Sequence, residues 1–402
     1  MTKTAGLTIC SFNYIPKALV LLESYHSFHP DHSLFILIVD KKRPDFTFSA
    51  AYINIIWVQD LVVENFYKYA FCFDVIELNT NVKPMAMKHL LKEHTKVIYL
   101  DPDIQIFSRL DLVIEELNSA SIVITPHSYT PILDGYKPDD ADLLRFGAYN
   151  LGFIGVSKCD EADLFLDWWS DRCLNLGYYE PHAGLAVDQK WMDLAPAFFP
   201  GLKILRNVGL NVAFWNLHER QLSKIDNSWF VNKNTPLVFF HFSSFNVTSP
   251  EAIAYKQTRY ASGSRPDFVL LSKTYSEQLI KFGSEKYEKE KYGFDYFDDG
   301  IYINPTLRRF YSILEGEFFS EENPFLATSK IRKFALKNHL LKLNRDSPKR
   351  LTFKDLDKFG RQETFFLWGL KFCLAILGPN RYYALMRYMA HISSIRNQRK
   401  LF

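Results

Sequence analysis

The run Leu34-Phe35-Ile36-Leu37-Ile38-Val39 is apolar at six successive positions. A strand with one wet face alternates apolar and polar residues, so an unbroken run belongs to a strand covered on both faces, as in a parallel sheet between helices. Residues 6–10 form an earlier strand-like segment, and a turn at Ser11-Phe12-Asn13-Tyr14 follows it. Pro16 suits the first turn of a helix, which Leu19, Val20, Leu22 and Tyr25 carry toward His29-Pro30. This is a βαβ unit. Further strands are expected at residues 53–58, 97–100, 121–126, 149–156 and 237–242. Lys83-Pro84 opens a helix that runs on through Leu91. Asp160 is an N-cap candidate for a helix bearing Leu164, Phe165, Trp168, Trp169 and Arg172, with the two tryptophans read as core. The fold class is therefore α/β: a mostly parallel sheet flanked by helices. Gly-x-Gly-x-x-Gly is absent, which disfavours a nicotinamide or flavin dehydrogenase.

Length sets the scale. A chain of 402 residues holds two or three domains, and 48% hydrophobic with 23% charged residues is a globular composition. An aromatic content of 16% suits either a large core or sites that stack planar groups and sugars. Gly263-Ser264-Arg265-Pro266 reads as a boundary, so residues 1–265 are expected to form the α/β body and residues 266–402 a mainly helical, basic region. Within the latter, residues 284–291 read as a solvated charged helix. The five cysteines are scattered and no Cys-x-x-Cys occurs, as in a reduced cytosolic protein without a disulfide frame or zinc site. Met1-Thr2-Lys3-Thr4 runs straight into a strand and has no signal-peptide character. No stretch reaches the roughly 18 to 20 apolar residues needed to span a bilayer.

Charge is unevenly spread. From Lys330 onward there are 17 Lys/Arg and 4 Asp/Glu, a surplus of 13; with a whole-chain charge of +3, the first 329 residues carry −10. A basic tail on an acidic body points to an anionic partner, a membrane surface or a nucleic acid, and nucleic acid is disfavoured because no binding motif accompanies the charge.

The segment Val97-Ile98-Tyr99-Leu100-Asp101-Pro102-Asp103-Ile104 ends an apolar run in two carboxylates at i and i+2. On an extended backbone these share one face, and the C-terminal edge of an α/β sheet is where ligands bind. Mg²⁺ and Mn²⁺ take oxygen ligands and hold substrate phosphates through one or two carboxylates. A solvated turn accommodates Asp-Pro-Asp equally well. His241, ending an apolar strand, offers an imidazole as a third metal ligand or a hydrogen-bonded core residue. Asp188-Gln189 sets a carboxylate and an amide side by side, able to bind a polyhydroxylated ligand or to start a helix. Asn150 and Gly152 interrupt an apolar strand, and a glycine there marks either a bulge or a close approach of the backbone to a ligand. Lys83, before a proline-opened helix, is placed to meet a phosphate.

In order along residues 6–250, these pieces resemble the GT-A nucleotide-sugar glycosyltransferases, especially the retaining family-8-like group. The matching strings are Val-Ile-Tyr-Leu-Asp101-Pro-Asp103, Tyr-Asn150-Leu-Gly152-Phe, Asp188-Gln189 and His241-Phe242. Residues 124–127, 188–191 and 211–217 are similar to a bacterial branch that builds surface polysaccharides.

The resemblance implies a GT-A catalytic domain over residues 1–265 and transfer of a sugar from a nucleotide diphosphate, UDP above all, to a saccharide or lipid-linked saccharide. It further implies Mn²⁺ or Mg²⁺ on Asp101, Asp103 and His241, and sugar orientation by Asn150, Asp188 and Gln189, with Gln189 at the anomeric carbon. The base and ribose would lie at Asn13-Tyr14, with Lys83, Asp101 and Gly152 also lining the donor. Where that family follows its His with Ser-Gly and then a Lys for the diphosphate, this chain has Ser243-Ser244-Phe245-Asn246, leaving Lys83 and Arg145 as candidates. Such an enzyme would work in the cytoplasm, at the inner face of the membrane. Rival readings are a nucleotidyltransferase, a glycoside hydrolase and an inactive binding or scaffold subunit. Phe365, Phe366, Leu367, Trp368, Leu370, Phe372 and Leu374 with Arg381, Arg387, Arg396, Arg399 and Lys400 form either an interfacial amphipathic helix pair or a helical subdomain with a basic exterior.

Overall fold

A computed structural model describes residues 3–61, 63–318, 321–346 and 360–401. Seven strands make the main sheet: β1 (Thr4–Cys10), β2 (Ser33–Ile38), β3 (Ile53–Trp57), β4 (Lys96–Leu100), β6 (Ile122–Pro126), β7 (Tyr149–Ser157) and β10 (Leu202–Ile204). Their order is β10-β6-β7-β4-β1-β2-β3. All neighbours are parallel except β7, which runs antiparallel to both β4 and β6. The expected mostly parallel α/β sheet is therefore what forms. Two further pieces of ladder matter: β5 (Ile104–Ile106) pairs antiparallel with β14 (Phe239–His241). Short antiparallel ladders complete the set: β8 (Tyr179–Glu180) with β9 (Leu185–Ala186), and β11 (Leu222–Ile225), β12 (Ser228–Val231) and β13 (Thr235–Pro236).

Helix α1 (Ile15–Phe28) carries Pro16 in its first turn, as expected, and buries Ile15, Leu21, Leu22 and Tyr25 against Leu34, Ile36 and Ile38 of β2. Each such side chain contributes about 1.5 to 3 kcal/mol on burial. Helix α7 (Asp160–Leu176) buries Phe165, Leu166 and Trp169. Its N-cap is Cys159 and not Asp160, which falls inside the first turn and there favours the helix dipole.

The chain divides into two compact units: Met1–Phe66 with Val75–Gly293, and Tyr67–Asp74 with Phe294–Phe402. The break thus falls at Gly293, beyond the turn at 263–266. The reason is packing: α9 (Pro266–Lys281) puts Phe268, Leu271, Tyr275 and Leu279 into one cluster with Phe240, Phe242 and Phe245. The charged segment after it is helical only over Ser284–Tyr287. In the second unit, buried Arg308 donates to the carbonyls of Ala70, Phe71 and Phe73 at 3.1, 3.1 and 2.8 Å, and to Phe294 O and Asp295 Oδ1 at 2.7 and 2.9 Å. One guanidinium thereby ties residues 70–73 to the start of the later segment. The helix Gly360–Ile392 is broken at Gly378, φ 72°, just before Pro379. The basic segment 347–359 and the terminal Met1 and Thr2 lie outside the described residues.

Candidate metal and donor site

Strand β4 stops at Leu100, and Asp101-Pro102-Asp103-Ile104 is a turn closed by Ile104 N–H donating to Asp101 O at 3.0 Å. The two carboxylates therefore meet across a turn, not along an extended strand. Pro102 supplies the fixed φ that such a turn uses. The chain then enters β5, whose pairing with β14 sets Ile104 opposite His241. That register carries the imidazole to the acids: His241 Nε2 lies 3.0 Å from Asp103 Oδ1 and 3.6 Å from Asp101 Oδ2. Phe242 N–H donates to Asp103 O at 2.8 Å, closing the ladder beyond the triad.

Asp103 and His241 are buried, while the Asp101 side chain keeps 29% exposure and forms the accessible edge. Burial would push the Asp103 carboxyl up, but the charge and hydrogen bond of His241, and more weakly Lys17, hold it below the usual carboxylate range. Tyr99 donates to Asp101 Oδ1 at 2.5 Å and so aims Oδ2 toward His241. Trp215 meets His241 edge-on at 5.1 Å between ring centroids, and His127 meets Trp215 at 5.3 Å. The His127 imidazole is pushed down to about 4 by burial and is neutral at ordinary pH. Two carboxylate oxygens and one imidazole nitrogen, all within 4.8 Å of one another, suit Mn²⁺ or Mg²⁺ better than a soft-ligand metal.

Gly152 proves essential to this geometry in a way different from the expected approach to a ligand. A Cβ there would stand 2.4 Å from His241 Cε1 and 2.6 Å from Nδ1, so what comes close is the His241 imidazole itself. Gly152→Ala is expected to swing His241 off Asp103 and cost about 1 to 3 kcal/mol. Thermal melts with and without Mn²⁺ check it: the variant melts lower, and added Mn²⁺ no longer raises its melting temperature.

The sugar-facing candidates gather at the N-terminal end of β7, where Asn150 and Gly152 lie in the strand and Lys83 and Gln189 hydrogen-bond to Leu151. Lys83 Nζ sits 2.5 Å from Asp188 Oδ2 and 2.8 Å from Leu151 O, with its ammonium 4.2 Å from the Tyr99 ring centroid. Both ends of the ion pair are almost fully buried. Lys83 is thus spent on Asp188 and Tyr99 rather than held free for a phosphate. Burial moves the Asp188 carboxyl up even against the neighbouring ammonium. Gln189 accepts from Leu151 N at 3.1 Å and donates to Phe146 O at 3.0 Å. Asn150 accepts from Gly152 N and Asn211 Nδ2 at 3.1 and 3.0 Å, and donates to Gln189 Oε1 and approaches His127 Nε2, each at 3.3 Å. Val187, directly before Asp188, holds φ +46°, which a β-branched residue adopts only under strain.

Asn13 and Tyr14 lie in the 3₁₀ turn after β1, the strand next to β4; Ser11 Oγ donates to Asn13 Oδ1 at 2.6 Å, and Tyr14 is partly exposed. Arg145 is exposed on α6 (Asp140–Phe146), 3.9 Å from Asp142. Sequence reasoning assigned no role to Tyr99, His127, Asn211, Trp215, Lys17 or Tyr275. The only advance signal was that residues 124–127 and 211–217 stood out as strings.

Over 283 residues the chain is 25% identical to the uncharacterized protein YfnF of Bacillus subtilis, covering 69% of this chain and 91% of that protein. It is 24% identical over 258 residues to the uncharacterized protein YfnD of the same organism, covering 60% and 78%. Among solved structures, it is similar to a complex of the galactosyltransferase LgtC with donor and acceptor sugar analogs. That likeness has a TM-score of 0.41 and 14% identity, covering 69% of this chain and 95% of that one. It is also similar to the glycosyltransferase GlyE of Streptococcus pneumoniae TIGR4, with a TM-score of 0.41 and 14% identity, covering 75% and 67%. No protein-family model matches the chain.

Proposed function

We propose that this chain is a metal-dependent glycosyltransferase that moves a sugar from a nucleotide diphosphate, UDP in the first instance, to a saccharide or lipid-linked saccharide in bacterial surface-polysaccharide assembly. The observation that carries this reading is the meeting of Asp101, Asp103 and His241 at the C-terminal edge of β4, held by the β5–β14 pairing. Asp101 Oδ2, Asp103 Oδ1 and His241 Nε2 would hold Mn²⁺ or Mg²⁺. When bound, the ion supplies Lewis-acid neutralisation of charge on the departing diphosphate. Tyr99 fixes one carboxylate, Gly152 makes room for the imidazole, Trp215 meets that imidazole edge-on, and His127 backs Trp215. Asp188, Gln189 and Asn150 act as positioning residues, locking the β7 edge where the donor sugar would rest, and the 3₁₀ turn at Asn13-Tyr14 would receive the nucleoside. We keep retention of configuration as part of the proposal on resemblance alone.

The geometry disfavours a glycoside hydrolase. Such enzymes set two carboxyl groups on opposite sides of a sugar, about 5 to 9.5 Å apart. Asp101 and Asp103 instead converge on one imidazole. Screening nucleotide sugars for metal-dependent hydrolysis tests the proposal: release of nucleotide from one donor, abolished by EDTA, supports it. Turnover of none, together with no nucleotide binding, would favour a scaffold subunit.

The reading extends to the tail. Among the described residues, no helix is long and apolar enough to cross a membrane. Yet Phe365, Phe366, Trp368 and Phe372 are 54 to 75% exposed, on the first arm of the helix Gly360–Ile392, whose second arm carries Arg381 and Arg387. A helix left apolar on its exposed sides beside basic residues suits an anionic lipid surface, where each Lys or Arg adds about 1 kcal/mol. Trp368→Ala with Phe372→Ala is expected to reduce co-sedimentation with phosphatidylglycerol vesicles about tenfold, two lost aromatic anchors removing the apolar part of the affinity. Unchanged sedimentation contradicts membrane contact through this helix.

A further inference from the structure

We propose that the Tyr99 hydroxyl restricts Asp101 to ligation through Oδ2 and so tunes the site for Mn²⁺ or Mg²⁺ against Ca²⁺, an inference that rests on the metal-dependent reading. Asp101 is fixed at its backbone and at one carboxylate oxygen. Its N–H donates to Gly152 O on β7 at 2.7 Å, and Ile104 N–H donates to its carbonyl at 3.0 Å. Rotation of the side chain then decides which oxygens an ion meets. Tyr99 stands two residues earlier, on β4, and donates to Oδ1 at 2.5 Å, a short charge-assisted bond. Oδ2 is left as the oxygen that faces His241 Nε2, at 3.6 Å.

The phenol is itself held. Tyr99 is buried in the middle of the sheet, in register with Leu7 of β1 on one side and Ile154 of β7 on the other. The Lys83 ammonium lies 4.2 Å from its ring centroid, and Lys83 is anchored in turn on Asp188 Oδ2 and Leu151 O. Carboxylate, ammonium, ring and hydroxyl thus form one packed chain from Asp188 to Asp101. A hydroxyl on so rigid a support holds the Asp101 carboxylate at one rotation.

The consequence lies in how cations use carboxylates. Ca²⁺ takes about six to eight oxygens in a flexible shell and accepts both oxygens of one carboxylate. Mg²⁺ demands a near-octahedral shell at about 2.0 to 2.1 Å, and Mn²⁺ shares its preference for carboxylate and water oxygens. Closing on an ion with both oxygens needs Oδ1 free. With Oδ1 committed to the phenol, Asp101 offers Oδ2 alone, which fits the octahedral ions and withholds a donor that Ca²⁺ would use. His241 acts in the same direction, since Ca²⁺ takes oxygen ligands. Tyr99 is therefore a positioning residue that acts on the ion only through Asp101.

Calorimetric titration of the full chain with Mn²⁺ and, separately, with Ca²⁺ tests this in the wild type and in Tyr99→Phe. The phenylalanine keeps the buried ring over Lys83 and removes only the hydroxyl. The wild type is expected to bind Mn²⁺ more tightly than Ca²⁺. In Tyr99→Phe the ratio of the two affinities is expected to fall about tenfold, the usual scale for loss of an outer-shell partner, through weaker Mn²⁺ and equal or stronger Ca²⁺ binding. A hydroxyl that merely stabilised the fold would move both ions alike, so an unchanged ratio overturns the proposal while the metal site stands. Infrared difference spectra of the wild type on adding Mn²⁺ give a check that needs no variant. A carboxylate bound through one oxygen widens the gap between its symmetric and antisymmetric stretches, as expected here, and a gap that only narrows contradicts the proposal. If the wild type binds neither ion, the metal reading and this inference fall together.

Discussion

Asp103→Asn is expected to lower sugar transfer by about 10³-fold or more while the protein stays folded, since electrostatic groups aimed at developing charge contribute on that scale. The substitution preserves shape and removes one negative charge. The local fold does not depend on that charge: the Phe242 N–H is held by the Asp103 backbone carbonyl, and the turn is closed by Ile104 N–H on Asp101 O. What is lost is the carboxylate that faces His241 Nε2 at 3.0 Å. An amide there leaves a weaker oxygen donor for a divalent ion and no counter-charge for the imidazole. Turnover measured beside circular dichroism separates the two effects. A normal spectrum with near-normal rate in metal-replete buffer would remove Asp103 from the metal site.

Lys83→Met is expected to destabilise the protein by about 3 to 5 kcal/mol, the usual cost of stranding one member of a buried ion pair. The methionine stem fills much of the space, so the stranded Asp188 charge is the main penalty. Burial already moves the Asp188 carboxyl upward in the intact pair, and removing the ammonium moves it further in the same direction. The sign follows. A carboxyl whose folded-state pKa is raised contributes stability below its unfolded value and loses it as pH rises through the folded value. The gap between wild type and Lys83→Met should therefore narrow toward acid pH and widen toward pH 8. Adding Asp188→Asn should recover much of the loss by replacing the stranded charge with a neutral amide. Urea unfolding at several pH values reads all three outcomes. A gap that is constant with pH would mean the loss comes from packing and not from the stranded carboxylate.

Much of the scaffold is legible in the chain because its signals are local. The unbroken run 34–39 announces a doubly covered strand, Pro16 announces the start of α1, and the apolar approach to Asp101 announces β4. The site is legible only in part because its geometry is made at long range. Nothing near Ile104 says that it will pair with His241, yet that pairing turns three scattered side chains into one cluster. The convergence of Asp101 and Asp103 was readable in outcome but not in cause: an extended strand and a closed turn both bring i and i+2 together.

Tyr275 was hidden by the glycine-proline punctuation at 263–266, which marks a loop and not a break between units. The spacing Phe268, Leu271, Tyr275, Leu279 is that of one helix face, and the fold buries all four in one cluster with Phe240, Phe242 and Phe245. Lys83 misled for a physical reason. A lysine before a proline-opened helix looks exposed in sequence, and only the fold supplies the buried Asp188 that captures it.

The most direct test of the central claim is calorimetric titration of UDP into the wild type and Asp103→Asn, each with Mn²⁺ and with EDTA. The wild type is expected to bind UDP in Mn²⁺ and to lose it in EDTA, and Asp103→Asn is expected to bind it in neither. Equal UDP affinity in all four titrations would contradict a nucleotide diphosphate held through a metal on Asp101, Asp103 and His241.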